Sequence, residues 1–323
     1  MSEIRRVRAT VPGSIGNIGP GLDVLGCALA GPRDEVIVEW SETPGITVLD
    51  PGHPDLPTSP SRHAAAIAAA SVLGRARARG VLPPAPGVAI TATKGLPLSG
   101  GQGGSAASAV AGAEAMNALL GASDRGTLGQ SEMLHACLDA EAKVSARHLD
   151  NIAPAMLGGI VVVRSVDPVD VIRLAPPPGL RIVLAHPAQR LATAKARAVL
   201  PAEIPRAVVT HQLAQVAALV AACATGDVAL FGRAIDDRIA EPARAPLLPG
   251  FLAAKQAALE AGALGASISG AGPTAFAVVG DEAVGERVAA AMRGAYERSG
   301  VQCTTRVTTF DTTGTIITAL DSD

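Results

Sequence analysis

Residues 95–108 read Gly-Leu-Pro-Leu-Ser-Gly-Gly-Gln-Gly-Gly-Ser-Ala-Ala-Ser, with five glycines from Gly95 to Gly104. An alternating apolar run at 88–93 precedes them and predicts a strand. Residues 105–120 follow and predict a helix, with Ser105 as a candidate N-cap and Gly121 as the stop. A strand-to-helix loop of this kind is an anion cradle. Glycines allow the backbone angles that aim consecutive N–H groups inward, and the helix N-terminus adds partial positive charge. Phosphate oxygens fit such a site, and Ser105 and Ser108 are candidate donors to phosphate or ligands to a metal.

Three readings compete for this loop. A Walker A loop needs a lysine after its last glycine, and none stands here, which excludes it. Gly101, Gly103 and Ala106 satisfy a Gly-x-Gly-x-x-Ala dinucleotide fingerprint. That fingerprint needs a second strand after the helix, yet residues 128–147 predict another helix. Plain close packing of a helix on a strand stays open from this loop alone.

The composition narrows the function classes. The chain has 323 residues, a formal net charge of −2 and 17% charged residues, so nucleic acid is not an expected partner. Hydrophobic residues make up 48% but aromatics only 2%, which excludes a base-stacking platform. Ala and Val carry the hydrophobicity, beside 35 glycines and 24 prolines, so a single glycine run is weak evidence here. Cys27, Cys137, Cys223 and Cys303 lie far apart without zinc-ligand spacing, and read as reduced buried thiols. The basic N-terminal residues lead into no apolar signal core, and the Ala-rich stretch 64–72 is too short to span a bilayer. A cytoplasmic protein with no membrane partner is the expectation.

Along the chain, strands are expected at 5–11, 36–40, 45–49, 159–163, 180–185, 266–268, 274–279 and 302–310. Helices are expected at 62–79, 208–224, 227–239 (stopped by Pro242), 251–261 and 282–299. Pro83, Pro84 and Pro86 close the first helical region. Pro176, Pro177, Pro178 and Gly179 form the best linker, which suggests lobes of residues 1–170 and 171–323. Strands and helices without strict alternation favour an α+β fold.

The loop resembles the central motif of the GHMP kinases, small-molecule kinases whose pattern is Pro-x-x-x-Gly-Leu-Gly-Ser-Ser-Ala. Here it runs from Pro97 to Ala106, with Gln102 in place of the usual Leu and Gly104 in place of the first Ser. Residues 11–23, Val-Pro-Gly-Ser-Ile-Gly-Asn-Ile-Gly-Pro-Gly-Leu-Asp, resemble the first family motif in its homoserine kinase version. Residues 267–274, Ser-Ile-Ser-Gly-Ala-Gly-Pro-Thr, resemble the third. Three motifs in order are far more specific than one. The resemblance implies a two-lobed α+β GHMP fold, with ATP and an acceptor alcohol in the cleft between lobes. It implies phosphates on Leu98, Ser99, Gly100, Gly101, Gln102, Gly103, Gly104, Ser105, Ala106 and Ser108. It also implies Mg²⁺ at Ser105 and Glu141, with Glu132 and Asp139 as alternatives to Glu141.

The acceptor is read from other segments. His148-Leu149-Asp150-Asn151, followed by Pro154 and Gly158-Gly159, resembles the homoserine kinase pattern His-x-Asp-Asn-x-x-Pro-x-x-x-Gly-Gly. Asn151 cannot take a proton at neutral pH, so the resemblance implies catalysis by positioning, with Asn151 and Arg197 in the catalytic role. Segments 193–201 and 237–251 also resemble homoserine kinases. Arg197 and Arg244 match carboxylate-binding arginines, and a guanidinium fork suits a carboxylate. Arg206 and Arg238 are the runners-up. Asp23 suits an ammonium, with Asn17 orienting it, and Thr193 and His148 complete the implied site. L-homoserine is therefore the implied substrate, on a route to threonine. Another GHMP alcohol kinase, or a non-catalytic nucleotide-binding member, stays open beside it. The adenine contacts are not assigned, because Ser61-Arg62-His63 stands where the family often has Asn. Homodimers are common in the family, but no interface is legible.

Overall fold

The computed structural model describes residues 5–80, 87–122, 127–144 and 147–320. Prolines 83, 84 and 86 and the N-terminal Met1–Glu3 lie outside the described residues. The first lobe begins with β1 (Arg6–Gly16), β2 (Leu25–Ser41) and β3 (Gly45–Asp50), then α1 (Ala64–Ala78) and β4 (Gly87–Thr93). It continues with α2 (Gly104–Ala122), α3 (Gln130–Val144), α4 (Ile152–Leu157), β5 (Ile160–Val166) and β6 (Val169–Leu174). The second lobe holds β7 (Arg181–Pro187), α5 (Thr193–Ala198), α6 (Arg206–Thr225), α7 (Val228–Arg233), α8 (Ala240–Arg244), α9 (Phe251–Glu260), β8 (Gly265–Ile268), β9 (Ala275–Val279), α10 (Glu282–Arg298) and β10 (Cys303–Thr308). The last strand, β11 (Ile316–Leu320), returns to the first lobe and pairs antiparallel with β1.

The first sheet runs β11-β1-β2-β4-β3, and the N-terminal part of β2 also pairs with β5, which carries β6. The second runs β10-β7-β9-β8. Val169–Leu174 is a strand of the first sheet, so the two sheets part at the Pro-rich segment after it, and the chain end crosses back. Departures from the expected elements are local. The helix expected over 227–239 ends at Arg233, and Pro242 lies inside the first turn of α8, where its missing N–H costs nothing. Ser105 is a helical residue, not the N-cap, because α2 begins at Gly104. Short elements α4, α5, β6 and β11 fall below the length at which periodicity is legible.

The Ala/Gly excess has a location. Helix α2 is buried on nearly every side, from Ala106 to Leu120, against α1, α3 and the strands β1 and β2. At Gly112 a Cβ would lie 2.2 Å from the Ala65 carbonyl oxygen of α1, so the two helices meet backbone to backbone. Three of the six aromatics are placed between the lobes. Phe231, Phe276 and Phe310 join Ile15, Leu25, Ile160, Ile182 and Leu219 in the core that glues the two sheets together. The Phe231 and Phe310 rings meet edge to face at 6.4 Å.

All four cysteines are free, but Cys223 is only half-buried. Among the described residues, α6 is the helix long and apolar enough to cross a membrane. Gln212, Leu219 and Ala222 on it face inward, and Gln212 donates to the Pro20 carbonyl (2.9 Å) and to Asp237 (2.7 Å).

The contact at Gly112 predicts a stability effect. Gly112→Ala should cost about 1–3 kcal/mol through overpacking, despite its better helix propensity. Urea denaturation measures it, and an unchanged or raised midpoint would contradict the backbone contact.

Candidate active site

Between the lobes lies a cleft of about 510 Å³. Every residue expected from the sequence lines it except Gln102.

Its floor is the glycine-rich loop. Positive φ angles recur at alternate residues, Ser99 (51°), Gly101 (72°) and Gly103 (68°). Alternation of this kind turns successive N–H groups to one side and forms an anion nest. No acceptor among the described residues receives the N–H groups of residues 101–103. Unpaired donors gathered at a helix start are costly without a ligand, and a phosphate satisfies them.

The loop is held by its carbonyls and its flanks. Gln102 O accepts from Ser14 N (3.1 Å) of the first motif. Gly101 O accepts from Ser269 Oγ (2.6 Å) and Gly100 O from Thr274 Oγ1 (2.5 Å), both in the third motif. A Cβ on Gly101 would lie 2.7 Å from the carbonyl oxygens of Ser269 and Gly272, so only glycine fits. Upstream, Lys94 and Asp34 form a buried ion pair, and Asp34 Oδ1 accepts from Gly95 N (3.2 Å) and Leu96 N (3.1 Å). Ser108 belongs to this pair. Its hydroxyl lies 3.0 Å from Asp34 Oδ2 and 3.1 Å from Gly104 O, and it accepts from Lys94 Nζ at 3.0 Å. The expectation that Ser108 holds phosphate is therefore not met by its hydroxyl, which is engaged beneath the loop.

Ser105 turns the other way. Its Oγ lies 3.2 and 3.3 Å from the two carboxylate oxygens of Glu141, which is 4% exposed. Burial pushes the Glu141 carboxyl above its ordinary range, partly offset by the nearby His148. The alternatives are elsewhere: Asp139 pairs with Arg75 and Ser71, and Glu132 with Arg79.

At the other end of the cleft, motif one and the segment 148–151 meet. Asn17, with φ of 71°, donates its N–H to Asp150 Oδ2 (3.1 Å) and its side-chain amide to Gly270 O (3.2 Å). Its Oδ1 accepts from Asp23 N (3.2 Å). Asn151 Oδ1 accepts from Ser14 Oγ (3.0 Å). Arg197 from α5 forms a two-point fork with Asp23, at 2.7 and 3.0 Å. Arg244 is 3% exposed, and its guanidinium is held only by the carbonyls of Ala196 (3.1 Å) and Gly270 (2.9 Å). No carboxylate among the described residues lies within ion-pairing distance of it. Burial, and then the charge of Arg197, lower its pKa. Arg238, a runner-up, is exposed and pairs with Asp236, and Arg206 is exposed as well. Thr193 opens α5 at the rim. Leu56, Pro57, Arg62 and His63 line the end beside α1, where the sequence left the contacts unassigned.

Asp150 was not singled out from the sequence, although it stands between two residues that were. It is 2% exposed, and His148 Nδ1 approaches its Oδ1 at 2.9 Å, at an angle that leaves both atoms without a well-formed hydrogen bond. Ser14, Lys94, Asp34 and Thr274 were also missed. They support the loop through contacts distant in sequence, which no local pattern signals.

Comparison with known proteins agrees with this geometry. The model for the GHMP kinases N terminal domain matches residues 64–159, and that for GHMP kinases C terminal matches residues 219–298. The chain belongs to the GHMP kinases. Within that class its relatives are homoserine kinases. The Chlorobium phaeobacteroides homoserine kinase is 39% identical over 91% of this chain and 92% of its own. The Arabidopsis thaliana homoserine kinase is 41% identical over 91% of this chain and 79% of its own. The crystal structure of homoserine kinase from Cytophaga hutchinsonii superposes with a TM-score of 0.89 at 34% identity, covering 98% and 99% of the two chains.

The His148 environment predicts a titration. Burial lowers its pKa, but Asp150, Glu141 and Asp23 outweigh burial and hold it above 6.5. The stability this supplies is fully present below the unfolded histidine's pKa of about 6.5 and is lost as pH rises through the folded value. NMR titration of the imidazole should show the raised pKa, and Asp150→Asn should lower it. A pKa that does not move in Asp150→Asn would remove Asp150 as the cause.

Proposed function

We propose that this kinase transfers the γ-phosphoryl group of ATP to the hydroxyl of L-homoserine, giving ADP and O-phospho-L-homoserine. The relatives at about 40% identity bear that name, and the charge pattern of the cleft supports it. The observation that carries the acceptor is Arg244. A buried guanidinium with no acidic partner facing a cleft is a waiting carboxylate site. Asp23, which Arg197, His148 and Arg244 hold below the ordinary carboxylate range against its burial, suits an ammonium. An α-amino acid carries both groups on one carbon.

In the free chain Asp23 and Arg197 neutralise each other. A zwitterionic acceptor replaces that contact with two, carboxylate to Arg197 and Arg244 and ammonium to Asp23. Thr193 and His148 border the same pocket. Asn17 orients Asp23, and Asn151 positions the acceptor hydroxyl. The hydroxyl oxygen attacks the γ-phosphorus while the bond to the β-phosphate oxygen breaks and ADP leaves. Asp150 has one oxygen on Asn17 and the other beside His148, so we infer that the hydroxyl proton passes to a γ-phosphate oxygen. Catalysis then rests on positioning and on the nest holding the phosphates. The donor set at Ser105 and Glu141, hard oxygens with one hydroxyl shared between two carboxylate oxygens, fits Mg²⁺. When bound it would neutralise phosphate charge. We take residues 1–174 with the returning β11 as the first lobe, and the intervening residues as the second.

The test is a product assay with ATP and Mg²⁺ on L-homoserine, L-serine, L-threonine and mevalonate. Homoserine should be turned over best. Equal or better turnover of mevalonate would reject the acceptor, and binding of ATP and homoserine without ADP formation would reject catalysis. Arg244→Ala should weaken homoserine binding by about 2–5 kcal/mol and leave ATP binding intact. Unchanged homoserine affinity would remove Arg244 from the site.

A further inference from the structure

Gln102 is one of two residues that depart from the family's loop pattern, and the expected residue that does not line the cleft. It is 7% exposed, and its amide donates to Thr274 Oγ1 at 3.4 Å. Thr274 is fully buried in the second lobe. The same oxygen lies 2.5 Å from Gly100 O and 2.9 Å from His186 Nδ1 on β7. A hydroxyl has one proton and two lone pairs. Gly100 O can only accept, so the Thr274 proton goes there. Both remaining partners then donate, which places a proton on His186 Nδ1. One hydroxyl oxygen thus joins two residues of the phosphate loop to β7 and the third motif, with its hydrogen-bonding capacity filled.

We propose that Thr274, completed by Gln102 and His186, is a positioning residue that locks the phosphate loop by one of its carbonyls. A peptide whose carbonyl is anchored in the second lobe turns the following N–H back toward the cleft. The anchor on Gly100 O therefore sets the Gly101 N–H, as the Ser269 anchor on Gly101 O sets the Gln102 N–H. The apolar residue usual at the Gln102 position could not take part. This chain ties its loop across the lobes through a polar side chain. The proposal rests on the nucleotide half of the kinase reading and is independent of the acceptor.

The test is ATP binding by calorimetry without acceptor, with thermal melting as the control for fold, and KM for ATP and for homoserine where turnover is seen. Thr274→Val keeps the shape and removes the hydroxyl, leaving the buried Gly100 carbonyl and Gln102 amide and the half-buried His186 without it, and should weaken ATP about ten-fold or more. Thr274→Ser keeps the oxygen and should stay within about two-fold of the parent, and Gln102→Leu should weaken ATP about three-fold. KM for homoserine should change little in all three. Equal ATP affinity in the parent, Thr274→Val and Gln102→Leu, with native melting, would overturn the lock. If Thr274→Val does not fold, Gln102→Leu and His186→Phe decide: weaker ATP binding with native melting supports the lock, and unchanged binding overturns it. A chain that fails to phosphorylate homoserine but still separates Val from Ser at position 274 would lose its acceptor and keep the lock.

Discussion

The segment from Ser99 to Gly104 has no basic side chain, so its hold on an anion depends on where its backbone points. That direction is imposed from outside the loop. Two carbonyls are anchored in the second lobe through Ser269 and Thr274, one in the first motif through Ser14, and the entry to the loop is clamped by Asp34. The alternating positive φ values at 99, 101 and 103 are tolerable because these anchors over-determine them. The cleft exists because the two lobes meet on this loop.

The same constraint explains the acceptor end. Gly270 O accepts from both Asn17 and Arg244, and Gly270 N donates to Gly16 O at 3.1 Å. One turn of the third motif therefore registers the first motif against the buried arginine. The separation between the nest and the charged pocket is set by a few backbone contacts in which a side chain would not fit. At Gly26 a Cβ would fall 1.6 Å from the Asp150 carbonyl oxygen, and at Gly16 it would fall 2.4 Å from Asp150 Oδ2. Asp150 and Asn151 reach the cleft because the strands beneath them carry no side chain there.

Electrostatics is local throughout. A net charge of −2 hides the buried end of the cleft, where Arg197, Arg244 and His148 are set against Asp23, Asp150 and Glu141. Burial raises the cost of each unpaired charge, and the free chain pairs Asp23 with Arg197 and leaves the deeply buried Arg244 on neutral carbonyls. A neutral surface and a charged cleft are compatible because anion binding here uses backbone N–H groups and a few deep side chains.

Three glycine motifs and their order were legible in the sequence, because local composition encodes sharp turns and close approaches, whereas the arginines at 197 and 244 were reached only through the family resemblance of their segments. Most of the longer helices were legible as apolar runs between turn signals, but β2 was legible only over 36–40 of Leu25–Ser41, because its first half carries no clear alternation. Tertiary structure alone decided what Ser108, Gln102 and Asp150 do. Ser108 looked like a phosphate donor, but Asp34 from β2 and Lys94 from just past the end of β4 meet its hydroxyl beneath the loop. Gln102 looked like a loop residue facing the ligand, but it turns to Thr274, 172 positions away. Asp150 gained Asn17 as a partner only when the end of β1 and the start of α4 were brought together. A hydroxyl or an amide can bond to any neighbour, and the neighbour is chosen by the fold.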